Sequence, residues 1–241
     1  MSYSYKENIG AWRWYDAESV TSTNDEIKNL LQGKQEVVLS AVHQTGGRGR
    51  RGRTWTEILG NLYFTYTYRI ANKDLSKVVC IIAESLAQTI TDINPRADVK
   101  IKWPNDVFLS GKKVSGILLE NLQADRWAVG IGVNIKGAPN LIGGEYQATS
   151  LAENGIILDR TDFLHYYLKN FAQVMQEYRN DGFSNIKNRY LSRAIRYGEE
   201  INIKQENEIK TGIFSALDDN GYLILKTNQG EECIIAGDLF V

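Results

Sequence analysis

Four arginines, Arg48, Arg50, Arg51 and Arg53, lie within six residues and are interleaved with Gly47, Gly49 and Gly52. A guanidinium offers forked donors that match phosphate or carboxylate oxygens two at a time, and glycines let a loop approach a ligand closely. Four such cations in one loop repel one another, so the segment is expected to stay mobile until a polyanion orders it. Gly47 to Gly52 also fits the G-x-G-x-x-G expression of dinucleotide-binding turns. That reading fails on context, because the fingerprint needs a helix opening after its last glycine, whereas Arg53-Thr54-Trp55-Thr56 leads through Gly60 into a strand. A solvated arginine–glycine patch for nucleic acid is the plainer reading of composition alone. The placement of the loop between two core strands, rather than in a tail, weighs against it.

A second candidate is Lys102-Trp103-Pro104-Asn105-Asp106, which puts a cation and a carboxylate at one sheet edge. Such a pair could hold a magnesium-bound phosphate, although the string by itself also reads as an ordinary β-turn with a surface ion pair. Shortly after it comes Lys112-Lys113-Val114-Ser115-Gly116-Ile117-Leu118. If Val114, Ile117 and Leu118 fix a strand there, Lys113 can point into a cleft as a permanent donor to a phosphoryl oxygen, and Gly116 lets backbone touch a small ligand. With His43 and His165 the only histidines, a multi-histidine metal site is excluded, and any metal would take oxygen ligands alongside a phosphate.

These residues need elements to hold them. Trp12 to Ser19 reads as a strand that runs into Thr23-Asn24-Asp25-Glu26, a capping box with Thr23 as N-cap and Glu26 three residues on, opening a helix that Gly33 stops. Val37 to Gln44 is a β-branched strand, Thr45 to Gly60 a loop, and Asn61 to Arg69 a half-buried strand of alternating aromatics and threonines. Asp74 to Ile93 has the apolar spacing of a core-facing helix. Val99 to Trp103 is a strand ended by Pro104, and Val107–Leu109 with Lys113–Glu120 form a hairpin before a further strand at Trp127–Ile135. Short hairpins imply a mixed or antiparallel sheet, not a doubly wound parallel one. The stretch 137–144 is glycine-rich and suits a mobile loop beside a site. Residues 161–194 read as helix interrupted near Asp181-Gly182. After Gly198 short strands (200–204, 210–217, 222–227 and 232–235) alternate with turn residues, the pattern of a small β-barrel.

A chain of 241 residues accommodates one large domain plus this appendage, with the boundary expected between 195 and 196. Hydrophobic residues are 43% and charged residues 24%, ordinary globular usage. No apolar run approaches a bilayer span and the first ten residues lack a signal-peptide core, so a cytoplasmic protein is expected. Cys80 and Cys233 are far apart and lack a C-x-x-C spacing, which suggests two reduced core thiols. Net charge is −1, so the molecule as a whole has no bias toward nucleic acid or anionic membrane, and the arginine loop is a local feature.

In order along the chain stand Ser22-Thr23-Asn24, Gln44 with the GRGRRG loop, KWPND at 102–106, Lys113 to Leu118, and Gly130-Ile131-Gly132-Val133-Asn134. Together they resemble the biotin protein ligase family, also called biotin–[acetyl-CoA-carboxylase] ligase. The resemblance implies an α+β fold, a mixed sheet with flanking helices (residues 1–195), followed by an SH3-like β-barrel (196–241). It implies formation of biotinyl-5′-AMP from biotin and MgATP with release of pyrophosphate, then transfer of biotin to a lysine of a biotin carboxyl carrier protein. Carried over by position, Ser22, Thr23, Asn24 and Gln44 would bind biotin, with Gly116 and Leu118 beside its ring. Arg48, Gly49 and Arg50 would close over biotin and the adenylate. Lys113 would lie near the carboxylate and α-phosphate, and with Arg48 and Arg50 would be catalytic. Arg51, Trp55, Lys102, Asn105 and Asn134 would complete the ATP side, with Asp106 near magnesium as a weaker assignment. ATP and Mg²⁺ enter as a substrate complex, and no prosthetic group is expected. The motifs begin within the first two dozen residues, so the ligase-only type is expected, without the DNA-binding domain some members carry. Neither DNA nor membrane is an expected partner, and the oligomeric state, homodimer included, stays open.

Overall fold

The computed structural model describes residues 2–31, 33, 35–140, 146–205 and 208–240. The expected mobile loop at 137–144 therefore lies, from 141 on, outside the described residues. Eight strands form one sheet: β1 (Tyr3–Ile9), β2 (Trp12–Val20), β3 (Glu36–Gln44), β4 (Leu62–Arg69), β5 (Val99–Lys102), β6 (Asp106–Leu109), β7 (Lys112–Gln123) and β8 (Arg126–Val133). Their order is β1-β2-β3-β4-β8-β7-β6-β5. Only β2 and β3 pair in parallel, so the sheet is mixed, as the short hairpins require.

Side chains alternate between the faces of a strand, so register decides what each face carries. Phe64, Tyr66, Val129, Ile131 and Val133 belong to the larger core, with residues of helices α2 (Leu75–Ile93), α3 (Arg160–Asp181) and α4 (Ser184–Arg193). Val37, Leu39, Ala41 and Ala128 point to the other face, where Ile27 joins a smaller cluster. Beyond Ala128 that second face carries Gly130 and Gly132 of β8, opposite Leu118 and Gly116 of β7. Apart from Leu118 this lane carries no large side chain, and it becomes the floor of the cleft described below.

The chain ends in a five-stranded antiparallel sheet of β9 (Glu200–Lys204), β10 (Ile209–Leu217), β11 (Leu223–Thr227), β12 (Gly230–Ile234) and β13 (Asp238–Phe240), ordered β12-β11-β10-β9-β13. It packs beside the Lys102–Asp106 turn: a side chain on Gly237 would lie 3.7 Å from the Trp103 ring.

Three expectations change. The capping box does not form: Ser22 is the N-cap, and helix α1 (Thr23–Glu26) lasts one turn before a 3₁₀ turn at Ile27–Leu30. The Thr23 hydroxyl turns to Gln44 instead, while Glu26 accepts from Tyr3 and Asn29. Strand β4 is buried on both faces rather than half-buried, because Thr23 and Asn24 of α1 cover Thr65 and the Glu36 carboxylate covers Thr67 on the face away from the large core. Cys80 is buried as expected, but Cys233 is exposed on β12.

Candidate functional site

A cleft of about 660 Å³ opens on the second face of the large sheet. Trp55, in the loop after β3, lies across its glycine floor. A Cβ at Gly132 would sit 2.3 Å from the Trp55 ring and one at Gly116 2.9 Å from it, while one at Gly130 would sit 2.2 Å from the Asn24 side-chain oxygen. These contacts are too short for any side chain to be added, so the glycines make the slot that Trp55 and Asn24 fill.

One end of the cleft is a buried polar network. The Thr23 backbone N–H and hydroxyl both donate to Gln44 Oε1, at 2.9 and 3.1 Å. The Thr65 hydroxyl lies 2.8 Å from that of Thr23 and 2.5 Å from Asn24 Oδ1, and Asn24 Nδ2 donates to Glu120 at 2.7 Å. Ser22 lies alongside, also buried. Amide and hydroxyl groups held this tightly can read a small polar ligand without rearranging.

Cations gather at the other end. A register shift between Val107 and Phe108 pairs Phe108 with Lys113 and Asp106 with Gly116, so β7 carries an extra residue at Val114. Without that bulge, alternation would send Lys113 to the helix-packed face with Ser115 and Ile117. With it, Lys113 enters the cleft. Its ammonium sits 2.7 Å from Asp106 Oδ1, 5.6 Å from the Trp55 ring and 5.4 Å from that of Tyr146. The Tyr146 hydroxyl donates to Asp106 Oδ2 at 3.2 Å, and the Lys102 ammonium lies 4.2 Å over the Tyr146 ring. Asn105 is fixed through Ile117, donating to its carbonyl at 2.8 Å, and accepts from Arg50 at 3.0 Å. The Trp103–Pro104 peptide bond in this turn is cis.

The arginine loop is folded over the cleft. Arg48 and Thr54 form a bridge, Trp55 N–H donates to Gly47 O at 3.0 Å, and Arg51 takes a positive φ of 54° at the tip. Instead of the expected mutual repulsion, each guanidinium meets a carboxylate. Arg48 makes two bonds to Asp25, at 2.6 and 2.9 Å, and reaches Glu120 at 3.2 Å. This hydrogen bonding holds the Asp25 carboxyl below, and the Arg48 guanidinium above, their ordinary ranges. Arg50 is depressed by burial. Arg51 and Arg53 both contact Asp238 of β13, Arg51 at 3.2 Å.

All but one of the residues singled out from sequence line this cleft: Ser22, Thr23, Asn24, Gln44, Arg48, Gly49, Arg50, Trp55, Lys102, Asn105, Asp106, Lys113, Gly116, Leu118 and Asn134. Arg51 is the exception, directed at Asp238. Asn134 is present but committed to internal bonds, donating to the Thr149 carbonyl and accepting from Asn61. Sequence reasoning missed Tyr146 and Asp238, and it quoted Gly130 and Gly132 within the motif that ends at Asn134 without giving them a role. The even spacing of Gly130 and Gly132 on one strand face was a usable signal for the floor.

The donor set argues against a metal caged by protein. Among the described residues no three His, Cys, Asp or Glu side chains come together, and the Asp106 carboxylate already contacts Lys113 and Tyr146. A divalent cation here would have to be carried mainly by a ligand's own phosphates.

Residues 17–135 match the sequence profile described as the biotin/lipoate A/B protein ligase family, and residues 197–241 that of the biotin protein ligase C-terminal domain. The chain is 37% identical to the biotin–[acetyl-CoA-carboxylase] ligase of Paracoccus denitrificans, over 91% of this chain and 96% of that one. It is 31% identical to the bifunctional ligase/repressor BirA of Bacillus subtilis, over 92% of this chain and 70% of that one. The structure of the Aquifex aeolicus biotin protein ligase in complex with biotin and ATP superposes with a TM-score of 0.81 at 30% identity, covering 95% of this chain and 97% of that one. Agreement of sequence and fold over almost the whole of both chains means that this protein belongs to the biotin/lipoate A/B protein ligase family.

Proposed function

We propose that this protein is a biotin protein ligase, which activates biotin with MgATP to biotinyl-5′-AMP and passes the biotinyl group to a lysine of a biotin carboxyl carrier domain. The observation that carries this reading is the joining of two unlike subsites in one cleft: a neutral hydrogen-bonding pocket at Thr23, Asn24 and Gln44, and a cationic end at Lys113, Arg50 and Lys102. Biotin's ring fits the first, and its carboxylate and the nucleotide phosphates fit the second.

A carboxylate is already ionised and needs no general base, but it must approach an anionic α-phosphate. The work of the protein is therefore charge neutralisation and alignment in a water-poor site. Lys113 supplies a fixed ammonium where the two anions meet, with the Trp55 and Tyr146 rings excluding water around it. Arg50 and Arg48 close the loop over the anhydride, and Lys102 extends the positive end toward the outer phosphates. Attack of the carboxylate oxygen on the α-phosphorus expels pyrophosphate. The uncharged amine of the acceptor lysine then attacks the acyl carbon, AMP leaves with the bonding electrons, and the amide forms with loss of a proton. Magnesium enters with ATP as part of the substrate. Residues 1–195 carry this chemistry and 196–241 form the flanking β-module. Among the described residues no helix is long and apolar enough to cross a membrane, in keeping with a cytoplasmic enzyme. A homodimer as well as a monomer is compatible with the cleft, which is built within one chain.

The test is mass spectrometry of a carboxyl carrier domain incubated with the protein, biotin and MgATP. One biotinyl group on one lysine, dependent on both substrates, is the expected product. An unmodified carrier under conditions where a known biotin ligase labels it would overturn the reading.

A further inference from the structure

Asp238 belongs to the C-terminal sheet, yet its carboxylate is spent on the arginine loop of the large sheet. Arg53 donates to it closely, Arg51 lies at 3.2 Å and Arg50 at 3.9 Å, and the Asp238 side chain is only 11% exposed. It lines the same cleft as Lys102, Asn105 and Lys113. Three guanidiniums converge on one carboxylate, which leaves about two positive charges unmatched and more N–H donors than two oxygens can accept. This is the way guanidiniums surround a polyphosphate, with the chain's own anion in the middle.

The strand that delivers Asp238 is held by a short ladder and by the buried side chain of Leu239, with Asp238 at its first position. Strand β13 spans Asp238–Phe240, lies at the sheet edge and pairs with β9 alone. Its hydrogen bonds are few, so fraying of this short ladder at its Asp238 end, with Leu239 kept in the core, costs less than moving the loop's Trp55 side, which is wedged against glycines. A triphosphate carries more charge and more acceptor oxygens than a carboxylate, and it forms bidentate pairs with arginine. Where both compete for Arg50, Arg51 and Arg53, the triphosphate wins and the carboxylate must withdraw, since two anions cannot share the space without repulsion.

We propose that Asp238 is a built-in substitute for nucleotide phosphate: it clamps the arginine loop to the C-terminal sheet in the empty enzyme and is exchanged for phosphate oxygens when the nucleotide binds. Nucleotide occupancy and the β13–loop contact then exclude each other. By linkage, each weakens the other by the same factor. The C-terminal sheet becomes a selector at the phosphate end, favouring ligands with enough charge to displace it over monophosphates. The inference rests on the ATP-binding reading above.

Asp238→Asn keeps the shape and removes the charge. Inorganic tripolyphosphate, titrated calorimetrically into the biotin-free protein, should bind the variant at least about fivefold more tightly than the parent, the scale of one relieved repulsion at partly screened distance. In biotin-dependent pyrophosphate exchange the KM for ATP should fall by a similar factor with kcat changed less than twofold. Asp125→Asn, at an exposed ion pair with Arg69, should alter neither. In the parent, tripolyphosphate should speed amide hydrogen exchange at Leu239 and Phe240, and AMP should not. Unchanged or weaker tripolyphosphate binding by the Asp238→Asn variant overturns the proposal, as does protection rather than exposure of β13. The hydrogen-exchange arm decides the matter if the variant fails to fold. Because tripolyphosphate binding is read without biotin, tightening in the variant with no biotin-dependent exchange in the parent would sink the ligase reading and leave this one standing.

Discussion

Replacing Lys113 by methionine keeps the length and apolar stem of the side chain and deletes one charge. Two consequences separate. The first is catalytic: the ammonium is preorganised beside Asp106 at 2.7 Å and between two aromatic rings, with 16% of the side chain exposed, so water cannot substitute for it. Loss of one such charge donor costs about 100-fold or more in rate, or roughly 2.7 kcal/mol of barrier. The second is structural: Asp106, itself 9% exposed, loses its ion-pair partner and among the described residues keeps the Tyr146 hydroxyl as hydrogen-bond donor, and breaking a buried pair of this kind costs about 3 kcal/mol or more. Adding Asp106→Asn removes the stranded charge, so the double variant should recover most of the lost melting temperature and none of the lost rate. The assay is biotin-dependent ATP–pyrophosphate exchange on both variants beside a thermal melt. Exchange within threefold of the parent in the single variant, or recovery of exchange in the double variant, would refute the placement of Lys113 at the reacting atoms.

Arg50→Gly removes the donor to Asn105 that ties the loop to the cleft wall, so biotinyl-adenylate should escape and label unrelated proteins at least about tenfold more than the parent does; a blot showing label on the carrier alone at normal rate contradicts this. Gly132→Ala drives a methyl to 2.3 Å from the Trp55 ring and should raise the KM for biotin about tenfold, with Trp55→Leu in the same chain restoring it; an unchanged KM in the single variant removes the floor argument. Glu84, wholly buried on α2 near Arg193 and Arg189, is pushed by burial up to about 7 from an ordinary 4.5. The folded state thus holds that proton more firmly than the unfolded chain, and the stabilisation, on the order of 3 kcal/mol, is full below about pH 4.5 and lost as pH rises through 7. Urea unfolding of Glu84→Gln should lack this decline between pH 5 and 8, and a decline as steep as in the parent would count against it.

Much of the architecture was legible because it is local. Alternation in β4 and β8, helical spacing in α2, the stop at Pro104 and the turn residues of the C-terminal strands each declare themselves within a few residues. Two of the edge strands were not: Tyr3–Ile9 carries Lys6 and Glu7 among its exposed residues, and Asp238–Phe240 is too short to show a period. Thr23 reads as a cap because it stands three residues before Glu26, but Gln44, twenty-one residues on, offers its hydroxyl a better partner in the fold. The direction of Lys113 depends on a bulge at Val114, and plain alternation from Ile117 gives the opposite face. Residue types announced the cationic loop, whereas the carboxylates that balance it, Asp25, Glu120 and Asp238, come from distant segments that only the folded chain brings together.

The account turns on which acid the cleft activates, because the family name covers biotin and lipoate alike. Pyrophosphate exchange into ATP, catalysed by the purified protein with biotin, with lipoate, and with both in competition, addresses that directly. Exchange that requires biotin and is unaffected by excess lipoate is the predicted result. Exchange supported by lipoate alone, with biotin inert, would contradict the assignment of the Thr23–Asn24–Gln44 pocket and the function built on it.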